Sequence, residues 1–255
     1  MNIHNVISPE NRQVERKKNI FYKISPKFLR ILYDKFEYGF LLKKWELHAD
    51  NRQFDWNWKD DNFNRIAVVN LLVNKFSNPV YLEIGCAGNA LFNSIPVINK
   101  IGVDPASGGN VRKTSDEFFE SNKLKFDVVF IDGLHTYEQV RQDIINALQC
   151  INQGGWIALH DMLPRDWIEQ HVPIISRGAW TGDVWKVAFE LCNTDGIDFK
   201  ILKLDHGVGV IKVLDRNVKL KNLSNELSSK EFSFYYDHID NLPLVEWEEA
   251  YDWLK

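Results

Sequence analysis

The chain has 255 residues, 45% of them hydrophobic, which is enough to bury one sizeable core with extensions. Its formal net charge of -4 and pI near 6.0 argue against a dedicated nucleic-acid binder, because neutralising phosphates requires a basic surplus on at least one face. A small-molecule or glycan partner is expected instead. The three cysteines, Cys86, Cys150 and Cys192, are far apart and lack a CxxC spacing, so neither a disulfide framework nor a zinc site is expected, and a reducing cytoplasm is. No stretch approaches the ~18 apolar residues of a membrane span, and the first residues hold no apolar run of signal-peptide length.

Residues 1–60 read as a helical extension, with Phe28, Leu29, Leu32, Phe36, Phe40 and Leu41 at helical spacing. Asp60 or Asp61 can cap a second helix that carries Phe63, Ile66, Ala67, Asn70 and Leu71 on one side. From Val80 the pattern changes to short apolar runs closed by Gly, Asp or His, the signature of buried parallel strands in βαβ units: Val80–Ile84, Ile101–Val103, Phe126–Ile131 and Trp156–Leu159. Between the last two runs, Thr136 and Gln139 can form a capping box for a helix with Val140, Ile144, Ala147, Leu148 and Ile151 on one stripe, which Gly154-Gly155 would stop. Val184, Val187, Ala188 and Leu191 suggest a further helix, with Asp183 at its cap. Only Asp205, His206 and Gly207 separate the runs Phe199–Leu204 and Val208–Val213, a gap too short for a crossover, so these strands must form an antiparallel hairpin. Residues 61–213 are thus expected to form one domain, followed by a polar extension over 214–255.

Glu83 stands two residues before Gly85 at the end of the first run, in the segment Glu83-Ile84-Gly85-Cys86-Ala87-Gly88-Asn89-Ala90. Ligands of open α/β sheets bind outside the carboxyl ends of the strands, and glycine there lets the backbone approach them. Asp104 follows Glu83 by 21 residues, a spacing at which an acid can accept both ribose hydroxyls. A dinucleotide site keeps an apolar residue where Glu83 stands, because a carboxylate would repel the pyrophosphate; a cofactor carrying an ammonium group is attracted to it. S-adenosylmethionine has that ammonium and no phosphate.

These residues, with Gly102-Val103-Asp104-Pro105, Phe126 to Gly133, and Gly154-Gly155 followed by Trp156 to Asp161, resemble the successive motifs of class I S-adenosylmethionine-dependent methyltransferases. Ile131 to Glu138 together with Leu159-His160-Asp161 is similar to a bacterial subgroup associated with sugar and polysaccharide modification. The likeness spans about residues 78–213. It implies an α/β fold with a doubly wound, mostly parallel seven-stranded sheet, an antiparallel last strand and helices on both faces. It also implies a cofactor site made by Glu83, Gly85, Cys86, Ala87, Gly88, Asp104 and Asp132. Ala87 and Asn89 stand where the family has glycines, and both are residues that such a turn can accommodate.

Asp132 and Asp161 end what would be the fourth and fifth strands, with His135 and His160 nearby. Methylating a hydroxyl requires in-line approach and loss of a proton, which leaves two mechanisms open. In one, Asp132 and Asp161 hold Mg²⁺ against the acceptor oxygens; in the other, His135 or His160 is the general base. Two acids at adjacent strand ends repel unless something positive lies between them, which favours the pair as a site; either histidine alone is as well explained as a hydrogen-bonded structural residue. Trp180 and Trp185 could wall the acceptor. Two other classes remain: an NAD(P)-dependent sugar oxidoreductase, and a non-catalytic partner-binding subunit using a helix with Lys17, Lys18, Lys23, Lys27 and Arg30.

Overall fold

The computed structural model describes residues 27–59 and 61–255, with side chains from residue 34 onward. A helix α1 (Lys27–Lys44) precedes α2 (Arg65–Val73). Then follow β1 (Val80–Ile84), α3 (Ala90–Ser94), β2 (Asn99–Val103), α4 (Ser115–Ser121), β3 (Phe126–Ile131), α5 (Tyr137–Cys150) and β4 (Ile151–Leu159). The remainder comprises α6 (Trp167–Gln170), α7 (Lys186–Cys192), β5 (Ile197–Leu202), β6 (Val208–Val213), α8 (Ser224–Leu227), α9 (Phe232–Asp237), β7 (Leu244–Val245) and α10 (Trp247–Leu254).

The seven strands form one sheet in the order β2-β1-β3-β4-β6-β5-β7. Pairing is parallel from β2 through β4, antiparallel on both sides of β6, and parallel again between β5 and β7. The expected fold class is therefore borne out, including the reversed strand. That strand lies inside the sheet, and the seventh strand comes from the tail, where two residues pair with Ile201 and Leu202. Alternation along the strands feeds two cores. Leu82, Ile84, Val129 and Ile131 pack with Val140, Ile144 and Ala147 of α5 on one face. Tyr81, Val128 and Phe130 pack with Val68, Val69 and Leu72 of α2 and Leu254 of α10 on the other.

Several local expectations are corrected. Asp60 lies outside the described residues, and α2 is capped by Asn64, whose Oδ1 accepts from Ile66 N at 2.9 Å. Its buried side is Val68, Val69, Leu72 and Val73, not the stripe through Ile66 and Ala67; α2 is apolar nearly all round, so periodicity could not choose the face. Phe63 precedes the helix and stacks on Trp247 with ring centroids 4.1 Å apart. No capping box closes α5: the Thr136 side chain makes no cap bond, and Gln139 reaches Ser115, Asp116 and Asp143 instead. Asp183 takes the capping role from a distance, accepting from Tyr137 N at 2.7 Å, so it serves α5 and not the helix that follows it. A true capping box does occur at Thr114 and Glu117 of α4. Gly154-Gly155 lie within β4, since α5 ends at Cys150 and the strand begins at once. Along α1 Leu41 is half-buried, but Phe36 and Phe40 are exposed; the side chains of Phe28, Leu29 and Leu32, and the whole of Lys17, Lys18 and Lys23, lie outside the described ones.

Strand register is what brings one end of the sheet level. Val103, Ile84, Ile131 and Leu159 are successive partners across β2, β1, β3 and β4. The ladder runs one residue further, with Gly85 N donating to Val103 O, Asp132 N to Ile84 O and His160 N to Ile131 O at 2.9, 2.8 and 3.1 Å. Gly85 has φ +85, and a Cβ there would sit 2.0 Å from the Asp132 carbonyl oxygen. Gly85→Ala should therefore lower the unfolding free energy by about 2 kcal/mol or more, combining backbone strain with a clash against backbone. Urea denaturation measures this, and a loss below about 0.5 kcal/mol, the range of an ordinary surface change, would contradict the close approach.

Candidate active site

The aligned strand ends present two neighbouring groups of residues. The first is the turn after β1. Ala87 and Asn89 both adopt left-handed backbone, with φ 41 and 64, so the two replacements of glycine are accommodated by conformation. Asp104 is buried, and its carboxylate gathers three backbone donors: Ala87 N on Oδ2 at 2.9 Å, and Ala106 N and Ser107 N on Oδ1 at 2.8 and 2.7 Å. The loop after β2 is thereby tied to the turn after β1. Ser107 Oγ donates to Ala87 O, and Gly109 N donates to Asn89 Oδ1 at 2.6 Å. The Cys86 thiol points inward to the carbonyls of Glu83 and Val103, so only its backbone faces the turn. Above Gly88 the space is open.

Glu83 is 1% exposed, and its Oε2 accepts from Tyr81 OH at 2.7 Å. Burial pushes this carboxyl up to about 7, against the lowering effect of the Tyr81 hydroxyl, and nearby Asp132 raises it further. A cation placed against Glu83 would reverse that shift.

The second group is the acid and histidine cluster at the ends of β3 and β4. His135 Nε2 lies 3.2 Å from Asp132 Oδ1, and His135 Nδ1 lies 2.9 Å from Trp180 O and 3.1 Å from Asp161 Oδ2. Both ring nitrogens thus face only oxygen acceptors, which favours the doubly protonated ring. Burial alone would lower the His135 pKa, but the Asp161 and Asp132 carboxylates overcome it and raise it to about 9. His160 is buried between the same acids, with Nδ1 at 3.4 Å from Asp132 Oδ1 and 3.3 Å from Asp161 Oδ2, and it too is held well above the usual histidine range by Asp161 and Asp132 against the effect of burial. Its Nδ1 has no hydrogen-bond partner of acceptable geometry. Against the effect of burial, His160 and His135 hold Asp132 well below the usual carboxylate range. Asp132, His135 and Asp161 each offer one donor atom, all within 4.8 Å of one another, an arrangement able to hold a metal ion.

Sequence reasoning missed two members of this cluster. Arg65, the first residue of α2, donates from Nη1 to Asp205 Oδ2 at 2.8 Å and lies 3.9 Å from Asp132 Oδ2. Asp205, in the β5–β6 turn, also accepts from Arg65 N at 3.0 Å and lies 3.5 Å from His160 Nε2. Asp205 and His206 are both left-handed, a conformation foreshadowed by the shortness of the hairpin gap, but the pairing with Arg65 spans 140 positions and carries no local signal. Of the two tryptophans expected to wall an acceptor, Trp185 is fully buried, with its indole N–H donated to Gln170. Trp180 does border the site, stacked on His135 with centroids 5.3 Å apart.

Comparison with known proteins agrees with this picture at the level of the domain. Residues 104–162 match the family model described as a methyltransferase domain, a segment running from the acid after β2 through both acid and histidine strand ends. No curated protein matches the chain. Among solved structures the chain is similar to the O-methyltransferase from Bacillus cereus in complex with SAH, at 13% identity over 60% of this chain and 82% of that one, with a TM-score of 0.42. It is also similar to cofactor-bound Rv0187 from MTB, at 13% identity over 81% and 97% with a TM-score of 0.44. A third is SAM-bound CalS10, an amino pentose methyltransferase from Micromonospora echinaspora, at 14% identity over 65% and 100% with a TM-score of 0.41. At these scores the structural likenesses carry no functional weight. Residues 104–162 are thus similar to a methyltransferase domain, in keeping with what the motifs implied.

The Glu83 shift fixes a pH dependence for the ligand-free protein. A carboxyl raised from 4.5 unfolded to about 7 folded contributes stability that is fully present below pH 4.5 and is lost as pH rises through 7. Glu83→Gln should therefore gain on the parent protein by about 2–3 kcal/mol between pH 5 and pH 8 in urea titrations. A difference that does not change with pH would show that Glu83 is ionised normally.

Proposed function

We propose that this domain transfers a methyl group from S-adenosylmethionine to a hydroxyl of a small-molecule or glycan acceptor, such as a sugar or polysaccharide precursor, in the cytoplasm. The observation that carries the reading is the adjacency of two differently charged strand-end groups. A buried, charge-starved carboxyl at Glu83 stands beside an open backbone turn, and a proton-handling cluster of Asp132, His135, His160 and Asp161 stands one strand away. The first suits a cofactor with an ammonium and no phosphate. The second suits removal of a hydroxyl proton.

Glu83 would take the amino group, the backbone of Gly85, Cys86, Ala87 and Gly88 would lie along the cofactor, and Asp104 would accept from the ribose with the lone-pair site that its three backbone donors leave free on Oδ2. Asp132 stands between the two groups and can serve both. The donor set fits a divalent cation: Asp132 and Asp161 supply carboxylate oxygens, His135 lies within reach, and the buried Nδ1 of His160 lacks a partner beside them. When bound, such an ion, with Mg²⁺ the hard-oxygen choice, supplies a lowered pKa for the acceptor hydroxyl and a fixed angle of approach. The competing role of His135 or His160 as general base requires a neutral ring, and in the ligand-free cluster His135 is held charged by the two acids. The arrangement therefore favours the carboxylates as the acceptor-side machinery. An NAD(P)-dependent oxidoreductase would set its pyrophosphate against Glu83 and is disfavoured for that reason.

Calorimetry tests the cofactor half. S-adenosylhomocysteine should bind where NAD does not, and Asp104→Ala should weaken it by about 1.5–3 kcal/mol, the worth of hydrogen bonds to a charged group. Tighter binding of NAD, or unchanged affinity in a folded variant, would remove this assignment. For the acceptor half, EDTA should abolish turnover of a hydroxylated sugar while leaving S-adenosylhomocysteine affinity intact. Asp161→Asn should remove Mn²⁺ binding as read by electron paramagnetic resonance. Full activity in EDTA would transfer the proton removal to the histidines.

A further inference from the structure

Among the described residues, the side chains that attach helix α1 to the body lie on one side of it. Leu41, Leu42 and Trp45 pack against the main core, the Trp45 ring lies 4.7 Å from that of His171, and the Arg177 guanidinium covers the Tyr38 ring at 4.5 Å. The opposite side is not the polar face that a docked helix normally shows to solvent. Phe36 and Phe40, one helical turn apart, are 78% and 69% exposed, and Leu47 just past the helix end is 99% exposed. At 100° per residue, Lys43 and Lys35 border this apolar stripe on one side and Lys44 borders it on the other, all three exposed. Of the two acids between residues 35 and 47, Glu37 faces Arg177 at 3.8 Å and Glu46 is exposed.

From this pattern we propose that the outward face of α1 docks the protein on an anionic lipid surface, with Phe36, Phe40 and Leu47 entering the headgroup boundary and Lys35, Lys43 and Lys44 meeting the negative headgroups. Aromatic side chains flanked by lysines on a single helix face, with an exposed leucine just beyond the helix end, are the arrangement of an element that lies in a membrane interface. No described helix is long and apolar enough to cross a membrane, so α1 would lie on the surface without spanning it. The charge pattern also decides between the two simplest occupants. A twofold contact would set the patch against its own copy, lysine rim against lysine rim, whereas an anionic leaflet complements it. The inner side of α1 meets the same His171 to Trp180 loop that holds His135, through Trp45 on His171 and Trp180 Nε1 donating to His171 O at 3.0 Å. The proposal does not depend on the identity of the methyl acceptor.

The test is co-sedimentation of the full chain with vesicles of phosphatidylcholine alone or phosphatidylcholine containing phosphatidylserine, with light scattering on the same samples. The parent should bind the anionic vesicles at least about tenfold more strongly than the neutral ones, and less strongly at high salt. The double variant Phe36→Ser, Phe40→Ser should lose that binding by about tenfold or more while keeping its circular dichroism and its affinity for S-adenosylhomocysteine. Lys43→Gln with Lys44→Gln, which leaves the apolar stripe intact, should weaken anionic binding alone. Failure to sediment with either vesicle, or equal binding by parent and both variants, overturns the proposal. So does a parent dimer that the serine variant converts to monomer without any vesicle binding, since the face would then belong to a second copy.

Discussion

Three carboxylates, Asp132, Asp161 and Asp205, converge at one edge of the sheet, and the site can exist only because three basic groups, His135, His160 and Arg65, stand among them. Oxygens of Asp132 and Asp161 lie within 4.8 Å of each other, and uncompensated acids that close would repel strongly in so poorly solvated a place. Each cation arrives on a different element. His135 comes from the approach to α5, His160 from the end of β4, and Arg65 from the first turn of α2, so the charge balance links α2, the parallel strands and the β5–β6 hairpin. The pairing of acids first reads as a demand for an external ion. The structure meets part of that demand internally, and an incoming divalent cation would compete with protons already held by the histidines.

The neighbouring turn obeys a different constraint. Asp104 is surrounded by backbone N–H groups and fastens the loop after β2 to the turn after β1, whereas Glu83 has a single phenolic donor and sits almost without solvent. Two acids at comparable strand ends are thus prepared in opposite senses. One accepts three backbone hydrogen bonds, and the other is left short of positive charge.

What could be read from the sequence follows the range of the interactions. Apolar runs such as Phe126–Ile131 betray buried parallel strands, and the three-residue gap at Asp205 to Gly207 betrays a hairpin, because both are written in neighbouring residues. The strand-end placement of Glu83, Asp104, Asp132 and Asp161 follows from the same runs. Arg65 and Asp205 could not be foreseen, since a salt bridge across 140 positions leaves no periodicity. Helix ends are hidden where a distant residue supplants a local one: Thr136 looks like a cap, but Asp183 supplies the bond. The all-round apolar character of α2 hid which side is buried, and the two-residue β7 is too short to stand out from the tail.

The cap on α5 has a consequence for how the chain acquires its shape. Most helices can complete their first turn with residues already at hand, but the N-terminus of α5 waits for Asp183, 46 residues later, which also holds Lys186 at 2.9 Å. Between them in sequence lie the whole of β4 and the loop that carries Trp180. During synthesis the start of α5 therefore stays frayed until that long excursion has returned, and His135, two residues before the helix, cannot settle against the Trp180 carbonyl earlier than that. The corner that holds His135 thus depends on a contact supplied 46 residues further along the chain, although the strands beneath it are adjacent in the sheet.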